Sequence, residues 1–263
     1  MPNDTSTGGA CCFCGKPFSV AGRTSEHVMP QWILQMLGIT KAESHVTTIK
    51  DSDAKLISRK TIPAYSRIYR KVCAECNSGW MSELECRTKA VLSRMVEEDE
   101  PELSVPDCFD LATWFYKLFA LIQLTDTHER RSRIRSEDMH LLRKHGLPEG
   151  NSYLIIARSE IPNAGKLRVS LPRLRHGVPE NGDLHQALSR SKCFIGMLQI
   201  NDLLFTMVYA FPADDWLVEH VDGDPGELYL WPRLSMLRIK KASMPVIRMP
   251  EALRFQFLLN QQE

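Results

Sequence analysis

The sequence predicts an α+β protein in which an N-terminal zinc-binding part is followed by a helical segment and an antiparallel β-rich part. Two Cys-x-x-Cys pairs, at residues 11–14 and 73–76, predict the zinc-binding part. Apolar residues recur with a helical period between residues 80 and 124. From residue 151 onward, short runs of β-branched and aromatic residues alternate with turn residues, which predicts strands.

Composition limits the class of protein. The chain has 263 residues, of which 43% are hydrophobic, so it can form one large domain or two smaller ones with true cores. A net charge of +1 argues against a uniformly basic nucleic-acid coat protein, and any nucleic-acid contact must come from local patches. The sequence has no apolar run of membrane-spanning length and no signal-peptide pattern at its start. We therefore expect a cytoplasmic protein without membrane contact.

The acidic run at residues 97–102, which contains a proline, predicts a linker between two domains. We expect a flexible tail over residues 1–10, a zinc-binding domain over 11–100 and an α+β domain over 101–263. The role predicted for the second domain is substrate recognition, dimerisation or sensing. In the first domain, hydrophobic periodicity and turn residues predict strands over 19–27, 45–50, 55–62 and 66–72, a short helix over 31–37 and a long helix from 77 to 96.

The second domain opens with a predicted helix over 110–124, with Asp107 or Asp110 as its cap. A further helix over 136–145 has acids in its first turn and Gly146 after its end. The pair Asn201-Asp202 predicts a hairpin turn between two strands. Strands are predicted over residues 153–158, 166–171, 193–200, 203–211, 227–231 and 236–239.

The cysteines indicate a metal site. Thiols stay reduced in the cytoplasm, so eight cysteines do not imply disulfides. Cys11, Cys14, Cys73 and Cys76 supply the four thiolates that a tetrahedral structural zinc requires. Two alternatives are a redox dithiol and cysteines buried as small apolar residues. Cys12 could also replace Cys11, although the two-residue gap favours Cys11. The remaining three are expected to be core residues: Cys86, Cys108 and Cys193.

A second group of residues carries possible chemistry. Glu26 and His27 end the first predicted strand, and Asn77 directly follows Cys76, so a zinc that joins both cysteine pairs would bring these three residues together. A histidine can accept a proton from water near neutral pH. A carboxylate and an amide offer oxygen ligands that suit Mg²⁺ and tolerate Mn²⁺. The alternatives are that His27 only hydrogen-bonds a neighbour and that Asn77 only caps the following helix.

The order of these motifs, C-x-x-C, E-H-x-x-P and V-C-x-x-C-N-x-G-W, resembles the cysteine-containing branch of the HNH endonuclease family. The resemblance covers about residues 11–90. It implies a treble-clef ββα-metal core with a structural zinc and a separate catalytic Mg²⁺ or Mn²⁺. His27 would be the general base, and Glu26 and Asn77 would bind the catalytic ion. The substrate implied is DNA, with RNA as the alternative, and the resemblance also suggests a homodimer and a role in bacterial defence.

The sequence departs from the family pattern in one respect. The family's middle asparagine, which orients the histidine, is missing from residues 66–72, where Tyr69 or a backbone carbonyl could take its role. Glu85 lies on the same predicted helix face as Asn77. It could support the site residues from behind, but we expect a solvated helix charge. The alternative function is a catalytically inactive zinc module that binds nucleic acid or protein.

A basic segment flanks the candidate site. It has five positive charges and no acid between residues 59 and 71. Such groups contact phosphates, so we predict nucleic-acid binding there, with a solvated surface as the alternative. The charges belong to Arg59, Lys60, Arg67, Arg70 and Lys71.

Overall fold

The computed structural model combines helices with largely antiparallel sheets, which confirms the predicted α+β class. The structure describes residues 9–40, 44–50, 56–63, 68–125, 134, 136–147, 151–159, 167–170, 194–210, 228–232, 235–244 and 246–247. Residues 1–8 of the predicted tail, Arg67 and Cys193 lie outside the described residues.

The first strand is shorter than predicted. A one-turn helix, α1 (Phe18–Ala21), precedes strand β1 (Arg23–His27), and helix α2 (Gln31–Met36) follows it. Gly22 separates α1 from β1 with a φ of 65°, a left-handed conformation that favours glycine. The predicted strand over residues 19–27 therefore begins only at residue 23.

Strand β1 pairs with a strand that lies far along the chain. Strand β4 (Ile68–Cys73) runs antiparallel to it, with Arg23 opposite Cys73 and His27 opposite Ile68. The register shifts by one residue between Thr24 and Glu26. Between β1 and β4, strands β2 (Ser44–Lys50) and β3 (Leu56–Pro63) form a separate antiparallel hairpin.

The helix predicted from residue 77 to 96 is present with a kink near its start. Helix α3 (Ala74–Cys76) leads into a π-helical turn (Asn77–Met81) and then into α4 (Ser82–Glu97). Gly79 has non-helical angles, with φ −92° and ψ −116°, and therefore marks the kink.

Helix α5 (Val105–Leu124) starts five residues before the predicted residue 110. The hydroxyl of Ser104 accepts a hydrogen bond from the backbone N–H of Asp107 at 3.2 Å, and the Asp107 carboxylate accepts one from the N–H of Ser104 at 2.9 Å. This reciprocal pair is a capping box, so Ser104 is the cap and Asp107 its partner. Pro106 is tolerated in the first turn because no intrahelical partner is needed there.

Every side chain of α5 from Leu111 to Ile122 is buried, so the helix lies between two layers. On one side the ring of Trp114 lies 5.8 Å from that of Trp32 in α2. On the other side, Phe115 and Tyr116 contact aromatic residues of the large sheet, at ring distances of 4.9 and 4.7 Å. Although α5 is apolar, no helix in the described ranges is long and apolar enough to cross a membrane.

The large sheet contains the strands predicted for the second half except that over 236–239, which lies in a separate sheet, and it includes a strand over 246–247 that was not predicted. Its strands are β6 (Asn151–Ser159), β7 (Leu167–Ser170), β8 (Phe194–Ile200), β9 (Leu203–Ala210), β10 (Leu228–Trp231) and β12 (Val246–Ile247). The antiparallel order is β10-β6-β9-β8-β7, and β12 pairs with β6 in parallel. Asn201, with φ 53°, occupies the predicted hairpin turn between β8 and β9.

The acidic run is bound to a later segment of the chain. Strand β5 (Glu102–Leu103) pairs with β11 (Leu237–Arg238), and Arg238 forms an ion pair with Glu102. Buried side chains form one continuous cluster from Cys11 to Met244. Side chains from both sides of the predicted boundary therefore pack in one core. That residues 11–100 and 101–263 fold as separate domains stays a prediction.

The contact between α5 and the sheet depends on a glycine in β8. A Cβ added to Gly196 would lie 2.3 Å from the ring of Phe119, which is far inside van der Waals contact. We expect Gly196→Ala to lower the free energy of unfolding by about 1–3 kcal/mol, because the ring or the strand must move. Urea denaturation of the wild type and the variant measures this loss.

Phe119→Leu provides the control, since it makes room at the same contact. In the double variant the loss should be smaller than the sum of the two single losses. Strictly additive losses would contradict a clash between these two residues.

Candidate metal centre and the side chains around it

Four cysteine sulfurs converge at one point. The sulfurs of Cys11, Cys14, Cys73 and Cys76 all lie within 4.8 Å of one another, and those of Cys14 and Cys73 are 3.7 Å apart. A tetrahedral zinc with Zn–S bonds of about 2.3 Å separates its sulfur ligands by about 3.8 Å. Three of the four residues are buried and Cys14 is half-buried. The cluster can therefore hold a metal ion, and its all-sulfur donor set fits zinc.

The backbone around the first cysteine pair explains how two sulfurs reach one point. The carbonyl of Cys11 accepts a hydrogen bond from the N–H of Gly15 at 2.9 Å, and Gly15 has a φ of 70°. The N–H of Cys11 donates to the carbonyl of Lys16 at 3.0 Å, which closes the turn. The N–H of Cys12 donates to the carbonyl of Lys71 at 3.0 Å and so attaches this turn to β4.

Backbone N–H groups point at two of the sulfurs. The N–H of Cys73 donates to the sulfur of Cys11, and the N–H of Cys76 donates to that of Cys73, both at 3.4 Å. Burial raises the pKa of the Cys14 and Cys76 thiols. Burial acts the same way on Cys11, but backbone N–H groups outweigh it and hold the pKa of Cys11 below its ordinary value. These donors favour the thiolate form that binds metal.

Cys12 lies outside the cluster. Burial, together with the nearby Cys11, raises the pKa of Cys12 to about 12, and its side chain hydrogen-bonds to Tyr69. Cys11, and not Cys12, is therefore the member of the metal site. The hydroxyl of Tyr69 is engaged beside the cysteines, which argues against Tyr69 as the substitute for the missing middle asparagine.

The prediction for the other cysteines is confirmed in one case and wrong in another. Cys108 is buried in α5, as predicted. Cys86 is exposed, because it lies outside the apolar stripe that α4 turns toward the core. That stripe is formed by Leu84, Thr88, Val91, Leu92 and Met95.

Helix α6 (Ser136–His145), which matches its predicted bounds, lies against the first cysteine turn. Glu75 accepts hydrogen bonds from Lys16 at 2.5 Å and from Arg143 of α6 at 3.1 Å. A Cβ added to Gly15 would lie 3.4 Å from the ring of His140. The ion pairs are exposed and contribute little stability, but they connect α6 to the cysteine cluster. No sequence pattern predicted this contact, because its partners are far apart in the chain.

Glu26 makes a buried ion pair. Its carboxylate is 3.4 Å from the ammonium of Lys117 in α5, and Lys117 is also 2.6 Å from the carboxylate of Glu85 in α4. Burial raises the pKa of Glu26, the Lys117 charge opposes this shift and the Glu85 charge adds to it. The prediction that Glu85 is a solvated helix charge is therefore wrong. Lys117 is the residue that sequence reasoning missed, although a lysine amid the apolar residues of α5 was a visible signal.

His27 lies at the end of β1 and is half-buried. The amide nitrogen of Gln31, in the first turn of α2, is 3.0 Å from its Nε2 and 3.4 Å from its Nδ1. Successive residues of a strand point to opposite faces, so His27 and the buried Glu26 project in different directions. The contact with Gln31 is compatible with both the catalytic role and the alternative in which His27 only hydrogen-bonds a neighbour, so its role as a base stays a prediction.

Asn77 connects the start of the helix to β1. Its amide nitrogen donates to the hydroxyl of Thr24 at 3.2 Å, and that hydroxyl donates to the carbonyl of Val72 at 3.2 Å. The alternative in which Asn77 caps the helix is wrong, since the cap is Cys73. Glu26, His27 and Asn77 therefore lie on adjoining elements, but their side chains hydrogen-bond to three different partners.

The basic segment is described only in part. Arg70 and Lys71 are exposed on β4. Arg59 and Lys60 lie on β3, where only the backbone is described, and Arg67 lies outside the described residues. The two described side chains are adjacent to the register shift opposite Ser25.

No protein-family model, curated protein or solved structure matches the chain. Its function is therefore inferred from its residues and their geometry.

Removal of one sulfur tests the metal site. We expect Cys73→Ser to lose the bound zinc and much of the stability of the N-terminal part, because a structural zinc supplies folding free energy of order 10 kcal/mol. Metal analysis of the purified protein and its melting temperature measure both effects. Cys86→Ser is the matched control, since this exposed cysteine lies outside the cluster. Equal zinc content and melting in all three proteins would refute the four-cysteine site.

Proposed function

We propose that residues 11–100 form a treble-clef ββα-metal module and that the protein is a metal-dependent HNH-type endonuclease that hydrolyses phosphodiester bonds in DNA. The observation that carries the proposal is the hydrogen bond between Asn77 and Thr24. It attaches the helix that follows the second cysteine pair to the strand that ends in Glu26 and His27. Two antiparallel strands followed by a helix, with four cysteines at their junction, support the module.

His27 is the proposed general base. Its half-exposed ring is accessible to water, and an ordinary histidine accepts a proton near neutral pH. The nearby amide of Gln31 contacts the ring. In the HNH family an asparagine orients the histidine. We assign this role to the amide oxygen of Gln31, which must turn toward a ring N–H, because the amide nitrogen now beside the ring donates and would occupy the nitrogen that accepts the proton.

The proposed divalent ion is Mg²⁺ or Mn²⁺. The amide nitrogen of Asn77 donates to Thr24, so its amide oxygen is the atom that would hold the ion. The carboxylate of Glu26 has the right chemistry for a second ligand, although its present partner is the ammonium of Lys117. When bound, such an ion supplies positive charge that stabilises the phosphate and the leaving oxygen.

The rival proposal is a zinc module that binds nucleic acid or protein without catalysis. The pairing of Glu26 with Lys117 favours it, because this carboxylate already has a cationic partner. The half-exposed position of His27 favours the enzyme, because a structural histidine needs no access to water. Both proposals use the same zinc site, and only activity separates them.

A nicking assay decides between the two. With Mg²⁺ or Mn²⁺, we expect the wild type to nick supercoiled plasmid and His27→Ala to be slower by roughly 10²–10⁴-fold, since it lacks the base. Gln31→Ala should be slowed less. His145→Ala, which alters an exposed histidine at the end of α6, serves as the control and should match the wild type. If the wild type and His27→Ala are equally inactive with both metals, on DNA and on RNA, the endonuclease proposal is wrong and the binding module is the function that remains.

Contact between the basic segment and nucleic acid can be tested on strand β4. We expect replacement of Arg70 and Lys71 by alanine to weaken DNA binding alike for all sequences, because phosphate contacts carry no sequence information. The slope of log affinity against log salt should fall in magnitude by roughly 2, or about 1 for each contact. Fluorescence anisotropy at several salt concentrations measures it. An unchanged slope would mean that these two residues only face solvent.

A further inference from the structure

Lys117 is an unusual residue in its surroundings. Only 1% of its surface is exposed, and its neighbours on α5 are buried apolar and aromatic side chains. Removal of an ammonium from water is strongly unfavourable unless charged partners compensate it. The partners of Lys117 both come from the N-terminal part, so the second half of the chain supplies the cation and the first half supplies the anions.

The charges of this group do not balance. Lys117 contributes one positive charge, whereas Glu26 and Glu85 contribute two carboxylates. The nearer carboxylate, that of Glu85, is 2.6 Å from the ammonium, and that of Glu26 is 3.4 Å away. The stronger bond therefore goes to Glu85, and Glu26 is the more loosely held of the two.

We infer that Lys117 is a positioning residue of the candidate site and competes with the divalent ion for the carboxylate of Glu26. The inference rests on the proposed function, in which Glu26 is a ligand of that ion. The ammonium close to Glu26 repels a second cation. To bind the metal, the carboxylate oxygen that contacts the ammonium must either contact both cations or leave the ammonium. Lys117 thereby sets how strongly the site binds metal and couples that affinity to the packing of α5.

Metal binding by the zinc-loaded full-length chain tests this inference. Titration with Mn²⁺, followed by electron paramagnetic resonance, measures the affinity without any need for catalysis. Lys117→Met removes the competing charge and should bind Mn²⁺ at least tenfold more tightly than the wild type. Lys117→Arg keeps the charge and should stay close to the wild type. Addition of Glu26→Gln to Lys117→Met should abolish the gain.

A control is needed for loss of stability alone. Leu118→Ala removes a buried apolar side chain from the same helix without changing any charge, and should leave the Mn²⁺ affinity unchanged. Where Lys117→Met does not fold, Glu85→Gln decides. It removes the nearer partner of the ammonium but leaves Lys117 paired with Glu26, so it should weaken Mn²⁺ binding severalfold.

Equal Mn²⁺ affinity in the wild type and Lys117→Met would overturn the inference, as would unchanged or tighter binding by Glu85→Gln. These outcomes differ from failure of the proposed function. If only the inference about Lys117 is wrong, the wild type still nicks plasmid and His27→Ala is still much slower. Failure of the nuclease would appear as inactivity of the wild type in the nicking assay, whatever the Mn²⁺ affinities are.

Discussion

The convergence of four cysteine sulfurs is the constraint on which the N-terminal part depends. It joins a turn at residues 11–14 to the end of β4 and the start of α3, although some sixty residues separate them. Backbone hydrogen bonds from the same turns point at the sulfurs, so the fold and the metal site support each other. A metal bound there would convert this geometry into folding free energy, because the unfolded chain has no such site.

Helix α5 is the second structural centre. It is buried on all sides because it packs against the N-terminal part on one side and the large sheet on the other. The close approach of Phe119 to Gly196 shows how tightly the sheet side is packed. On the opposite side, Lys117 reaches Glu26 and Glu85. The same helix therefore organises the core of the second half and supplies a charge beside the candidate site of the first.

The candidate site has two levels of organisation. Hydrogen bonds from Asn77 to Thr24 and between Gln31 and His27 join the motif residues to neighbouring elements. Beneath them, the carboxylate of Glu26 is paired with the buried ammonium of Lys117. Under the proposed function, the affinity for a divalent ion would depend on the charge of Lys117.

Periodicity, turn residues and cysteine spacing were enough to predict the α+β class, the bounds of α6, the hairpin at Asn201 and the four-cysteine cluster, because these are local properties. The predicted cap of α5 was a later aspartate and not Ser104, and the positions of Glu85 and Cys86 on the predicted helix did not reveal which of them faces the core. Only the tertiary structure decided that Glu85 turns inward and Cys86 outward, that Gln31 contacts His27, and that Lys117 pairs with Glu26. The physical reason is that burial and ion pairing depend on which distant elements pack together, and no spacing within one element specifies them.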